Sequence, residues 1–207
     1  MKKGKKKIKK SKKKKGNILY TGLGDQGTTT LFHCDQGRIS KSADIIEALG
    51  ALDELNAYLG IVKVYASNEH MGMMLNPKKK ILFSDILNDI QETLFIIQAE
   101  VAGSDMAVDK KDLTKIEGII SYISDSLPPI TSFTISGGSI LSAELDFSRT
   151  LARRCERRII SVLDGGGKEM GYVTIAYLNR LSSVLFAMSR YANYALSISE
   201  EHPKYNK

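Results

Sequence analysis

Arg149, Arg153 and Arg157 recur at four-residue spacing in the stretch SGGSILSAELDFSRTLARRCERR. Four residues is close to one helical turn, so on a helix the three guanidiniums line one face over about 12 Å. Arg154 and Arg158 fall on the neighbouring stripe, with Glu156 among them. Arginine's planar fork of donors suits bidentate contact with phosphate oxygens, so such a row could grip a polyphosphate. The other reading is a basic helix face bathed in solvent, and these residues alone do not choose between the two.

Three further clusters bear polar groups in suggestive settings. In TGLGDQGTTT, Gly22, Gly24 and Gly27 permit close backbone approach, exposed amides can cradle phosphate oxygens, and Thr28, Thr29 and Thr30 add hydroxyls. No Gly-Lys-Ser/Thr follows at Walker spacing and the loop is not a dinucleotide-binding fingerprint, so a surface turn is the alternative. Asp53 and Glu54 sit inside the largely apolar ALGALDELNAYLG. On a core-facing stripe a carboxylate needs a partner, and Arg149 is the natural candidate; structural pairing competes with a catalytic role. Asn179 and Arg180, in YLNRLSSVLFAMSR, form either an interhelical clasp or a ligand contact. No Glu-x-x-His pair offers a di-iron site, no Cys/His cluster suggests zinc, and there is no nucleophile elbow.

The elements that must carry these groups are helical. Ile46, Leu49, Leu52, Leu55, Leu59 and Val62 recur at threes and fours, predicting a helix from about 43 to 66. SNEHMGMMLNPKKK reads as a loop with a Pro stop. A second helix is predicted over about 81–102 and a third over about 111–126, ending before Pro128-Pro129. Phe133 to Gly138 reads as a connector with paired glycines. Ser139 is a plausible N-cap for the fourth helix, which carries the arginine row to about Leu163. After GGGK a fifth helix is predicted over about 169–197, while residues 17–41 read as irregular. Five helices with short connections and almost no strand signal predict an all-α, antiparallel five-helix bundle.

Composition bounds the rest. The 207 residues suit one domain, expected over 17–200, between a Lys-rich tail at 1–16 and a short C-terminal tail at 201–207. Eleven of the 30 basic residues lie in 1–15, so the remainder sets 19 against 23 acidic residues, and the net charge changes from +7 to −4. That lysine block is expected to be disordered, either solvated or attached to an acidic surface, and the core is not expected to bind nucleic acid. No run of about 18 apolar residues predicts a membrane span, and no apolar segment follows the leading charges as in a secretory signal. Cys34 and Cys155 have no metal-ligand spacing and are expected to stay reduced in the cytoplasm.

Taken together, YTGLGDQGTTTLF, EALGALDELNAYLG, QETLFIIQAEVAG, FTISGGSILSAELDFSRTLARRCERRI and YLNRLSSVLFAMSR resemble the PduO-type ATP:cob(I)alamin adenosyltransferases in order and spacing, from Tyr20 to about Ala195. SGGS, RTLARRCERR and LNRLS are the most specific of these stretches. The resemblance implies a bundle of the ferritin-like, cobalamin adenosyltransferase type, assembled as a homotrimer with active sites between subunits. It implies that ATP, with Mg²⁺, donates its 5′-deoxyadenosyl group to the cobalt of cob(I)alamin, releasing triphosphate. Cob(I)alamin is itself the nucleophile, so the protein's work would be positioning, charge stabilisation and tuning of the cobalt. A reductase and an adenosylcobalamin-dependent enzyme would be its partners.

The resemblance also implies residue roles. Arg153 would stabilise charge on the departing triphosphate, beside Arg154, Glu156 and Arg157. Residues 17–42 would wall the ATP site through Thr21, Gly22, Leu23, Gly24, Thr29, Thr30 and Lys41, and Asn179 would contact ATP as well. Asp53 and Arg149 would form an intersubunit ion pair near the corrin. Phe133 would lie beneath the corrin, excluding the axial base and water, so that cobalt(II) stays four-coordinate and easier to reduce. No protein metal ligands are implied. Many members carry a basic residue at the position of Gly22 and Lys at that of Gln26, and ISGGS replaces the commoner LPGGS. Losing those cations is expected to weaken ATP binding by about 1 kcal/mol per contact rather than change the reaction.

Overall fold

A computed structural model describes residues 19–31, 37–76, 79–167 and 169–205. The lysine tail at 1–16 and the stretch 32–36, which includes Cys34, lie outside the described residues. Five long helices dominate: α1 (Asp44–Asn68), α2 (Phe83–Val101), α3 (Lys110–Ser126), α4 (Ile140–Asp164) and α5 (Tyr172–Ala195). The periodic apolar positions are what fold inward. Leu52, Leu55 and Leu59 of α1, Leu87, Leu94 and Ile97 of α2, and Leu181, Leu185 and Met188 of α5 are fully buried in one core. Burying a side chain of this size contributes roughly 1.5–3 kcal/mol, which is why the stripe, more than helix propensity, sets each helix.

Cross-links between helices give their sense. Glu54 pairs with Arg154 and Glu47 with Arg158, so α1 and α4 run in opposite directions. Ser142 meets Ser189 and Glu156 meets Asn179, which makes α4 and α5 antiparallel too. Val108 donates to Thr174, Glu117 pairs with Arg180, and Pro128 accepts from Arg190; the numbers rise together, so α3 lies parallel to α5. Lys63 reaches Asn88 and Gln91 donates to the Asn56 carbonyl, so α2 runs against α1 and consecutive helices alternate up and down. Because α3 packs against α5, the link from α3 to α4 has to travel over one end of the bundle.

Two short antiparallel hairpins correct the expectation of irregular segments. β1 (Thr28–Thr29) pairs with β2 (Ile39–Ser40), and β3 (Gly72–Asn76) pairs with β4 (Lys79–Leu82). A two-residue strand carries no readable alternation, and the Met, Pro and Lys content of the second hairpin hides its strands. Met73 is buried in the bundle core and Tyr122 donates to the Met74 carbonyl, so tertiary contact holds that hairpin. It also delays α2, which begins at Phe83 rather than near Ile81. The fifth helix likewise starts later than expected, at Tyr172. There the buried Glu100 carboxylate accepts from Gly171 N–H at 2.8 Å and from the Thr174 hydroxyl at 2.6 Å, a negative charge at a helix N-terminus.

Ser139 caps α4 as expected, its hydroxyl accepting from Ser142 N–H at 3.1 Å. The two glycines before it hold φ of +140° and +96°, and Asn193 of α5 clasps this turn. Its amide donates to the Gly137 carbonyl at 2.9 Å, and its oxygen accepts from Ser139 N–H at 2.9 Å. The connector bearing Phe133 is thereby tied to α5.

Candidate active site

The five arginines of α4 separate into paired and unpaired sets. Arg154 and Arg158, on the stripe facing α1, are neutralised by Glu54 and Glu47. Arg149 pairs with Asp146 at 2.5 Å, one turn earlier on its own helix, and lies 5.8 Å above the Phe186 ring. Arg153 and Arg157 are exposed and have no hydrogen bond or ion pair among the described residues. Three of the five are thus bound within the chain, and the guanidiniums of Arg153 and Arg157 are available to an anion.

The N-terminal loop is built by its own side chains. Arg38 donates to the Thr28 hydroxyl at 2.8 Å, to the Thr28 carbonyl at 2.6 Å and to the Leu23 carbonyl at 2.5 Å, closing Leu23–Thr28 into a compact turn. Gly22 and Gly27 hold φ near +70°, and Lys41 N–H donates to the Gly27 carbonyl at 2.9 Å. Gly24 admits the Lys41 side chain, because a Cβ there would stand 2.9 Å from Nζ. Thr29, Thr30 and Lys41 then wall an open groove of about 690 Å³ whose other wall includes Arg154 and Arg158. Thr21 and Leu23 belong to the same loop, with the Thr21 hydroxyl accepting from Leu23 N–H at 3.3 Å. The sequence reading missed Arg38, which sits far from its partners along the chain.

Asn179 does clasp helices. It donates to Glu156 at 3.0 Å and accepts from Arg180 at 2.6 Å, and Arg180 reaches Glu117 at 3.1 Å, so α3, α4 and α5 share one polar chain. Asp53 requires a correction. It is exposed, not core-facing, and within the chain its place beside Arg149 is taken by Asp146. Asp146 itself is buried and also accepts from Ser136, linking Arg149 to the glycine connector. The i,i+3 spacing of Asp146 and Arg149 was the available signal. Phe133 is 79% exposed. Between α1 and α4, Tyr58 donates to Glu144 and packs at a tilt against the Phe147 ring, centroids 4.9 Å apart; burial first, then this hydrogen bond, pushes its phenol up to about 12.

Cys155 plays no part in that chemistry. It is fully buried and donates to the Ala51 carbonyl at 3.0 Å, and burial pushes its thiol up to about 12 against the opposing charge of Arg154. A raised value means the neutral thiol persists at every ordinary pH, so thiolate chemistry is closed to it. In a Cys34→Ser variant, a thiol reagent at pH 8 is expected to label Cys155 only at the rate of unfolding. Labelling within seconds under native conditions would contradict this burial.

The sequence matches the Cobalamin adenosyltransferase family over residues 19–192. It is 34% identical to the corrinoid adenosyltransferase PduO of Citrobacter freundii over 179 residues, covering 83% of this chain and 49% of that protein. Identity to the corrinoid adenosyltransferase of Bacillus subtilis is 30% over 191 residues, covering 88% of this chain and 90% of that one. The chain spans about half the length of the two PduO relatives it matches, from Citrobacter freundii and Salmonella typhimurium. A variant of the PduO-type ATP:corrinoid adenosyltransferase from Lactobacillus reuteri, complexed with cobalamin and ATP, superposes with a TM-score of 0.77 at 25% identity. That alignment covers 91% of this chain and 98% of the other.

Proposed function

The chain belongs to the cobalamin adenosyltransferase family, and from that premise we propose that it transfers the 5′-deoxyadenosyl group of ATP to the cobalt of cob(I)alamin. The observation that carries the reading is the pair Arg153 and Arg157, unpaired among the described residues and on the same helix as Arg154 and Arg158, which wall a groove with Thr29, Thr30 and Lys41. The cobalt electron pair attacks C5′, the C5′–O5′ bond breaks, and the triphosphate leaves with that bond's electrons. Charge grows on the leaving oxygen, where a preorganised guanidinium stabilises the transition state more than the ground state. Arg153 has that role, with Arg157 and Arg154 beside it and Glu156 orienting Asn179 toward the nucleotide. Thr21, Gly22, Leu23 and Gly24, earlier in the loop that brings Thr29 and Thr30 to that groove, would contact the nucleotide from outside its present lining.

Among the described residues no cluster of three His, Cys, Asp or Glu side chains could hold a metal. Mg²⁺ would be brought in by ATP itself, beside Arg153 and Arg157, and would share with them the charge of the departing triphosphate. Phe133, exposed on its connector, packs under the corrin and excludes an axial ligand.

A homotrimer fits the same surface. Ile61, Val64, Ile140 and Phe147 lie 50–60% exposed on α1 and α4, an apolar strip that a second copy would cover. Asp53, exposed on α1, then reaches Arg149 of a neighbouring copy and completes the site from outside the chain. No helix among the described residues is long and apolar enough to cross a membrane, and we place the activity in the cytoplasm, beside a reductase and an adenosylcobalamin-dependent enzyme.

The test is an anaerobic spectral assay with chemically reduced cobalamin and MgATP. Photolabile adenosylcobalamin is expected, formed only when ATP is present. Corrinoid binding without transfer at millimolar ATP would leave a carrier instead of an enzyme.

A further inference from the structure

Beyond α5 the chain doubles back at Ser197, whose φ is +56°, and residues 199–202 run along the Phe133 connector. Three contacts fasten the two segments. Ile135 N–H donates to the Glu201 carbonyl at 2.8 Å, in an isolated antiparallel bridge. His202 Nδ1 lies 2.9 Å from the Phe133 carbonyl oxygen and 2.9 Å from the Ser132 hydroxyl. A carbonyl oxygen only accepts, so Nδ1 carries the proton in this arrangement. Glu200 is gripped by Arg190 through two hydrogen bonds, at 2.5 and 3.0 Å, and the same guanidinium donates to the Pro128 carbonyl at 3.1 Å. Arg190 thereby joins α5, the strap and the start of the connector.

The Phe133 ring itself is mostly in solvent, so its position follows from the backbone that bears it. On one side that backbone is held by Asn193 at the glycine turn and by Ser136 on Asp146, and on the other by Arg190 at Pro128 and by the strap. We infer that residues 199–202 are a positioning element for Phe133, with His202 as the residue that sets the ring's height against the corrin. This rests on the reading of Phe133 as a corrin contact.

The experiment compares His202→Asn and His202→Gln in the full chain. The Asn amide nitrogen occupies nearly the place of Nδ1 and can donate to the Phe133 carbonyl, whereas the Gln amide reaches toward the place of Nε2. His202→Gln is expected to raise KM for cob(I)alamin roughly fivefold, the size of one lost neutral hydrogen bond, with KM for ATP and Tm unchanged. Amide exchange at Ile135 should quicken in the same variant, and His202→Asn should restore both values. Wild-type corrinoid KM and Ile135 exchange in His202→Gln would overturn the inference, as would a parallel rise in both KM values with a falling Tm. A wild-type chain that makes no adenosylcobalamin sinks the transfer reading itself, whereas failure of the strap shows in the Ile135 amide, which needs no corrinoid.

Discussion

Replacing Arg153 by Ala is expected to lower kcat by about a hundred- to a thousandfold, which is the cost of removing one preorganised donor from a developing anion, about 2.7–4 kcal/mol. The side chain is exposed and has no partner among the described residues, so its loss leaves no buried group unsatisfied. Surface substitutions of this kind stay within about 0.5 kcal/mol in stability, and Tm should move by no more than about 2 °C. The contrast between those two readouts is the content of the prediction. Arg154→Ala makes a useful comparison, since it removes a half-exposed ion pair with Glu54 that is worth at most about 1 kcal/mol. A loss of activity in Arg153→Ala that tracked a fall in Tm would return the arginine row to a structural role.

The second large effect is on folding. Gly138 holds φ at +96°, and a Cβ there would stand 2.6 Å from the Asn193 amide nitrogen. An L-residue in a left-handed conformation costs roughly 1–2 kcal/mol before any clash. Displacing Asn193 would also break its hydrogen bonds to Gly137 and Ser139, each contributing about 1 kcal/mol and both partly buried. Gly138→Ala is therefore expected to destabilise the chain by about 3–4 kcal/mol, lowering Tm by roughly 10 °C at this chain length. Thermal melting decides it. A variant melting within 2 °C of the parent would mean that the turn relaxes without Asn193, by the same scale of about 2–4 °C per kcal/mol.

Much of this arrangement was legible in the sequence because its cause is local. Apolar residues at threes and fours marked the first two helices, Pro128-Pro129 bounded the third, Ser139 announced the cap of the fourth, and the four-residue spacing of arginines placed them on one surface. What escaped had causes spread across the chain. Asp53 looked core-facing because α1 is apolar on more than one side: Ile61 and Val64 are exposed, so apolar company alone could not identify the buried stripe. The hairpins were invisible because two strands are only two residues long and the others are held by Tyr122 and Met73 contacts from afar. Arg38, Asn193 and His202 do their work across 10, 56 and 69 residues of sequence, and no spacing rule reaches that far.

The alternation of the helices has a consequence for how such a protein can change. With α3 seated against α5, the segment from Leu127 to Ser139 bridges the end of the bundle and contributes little to its core. Substitutions or insertions in residues 129–135, with the Gly137-Gly138 turn and the Ser139 cap kept, can alter what meets the exposed Phe133 position while the helix packing stays as it is. Its moorings are specific: Arg190 at one end, Asn193 and Asp146 at the other and the strap between. The segment behaves as a cassette, and transplanting it together with residues 198–202 is the unit in which ligand preference at that end could be re-engineered without redesigning the scaffold.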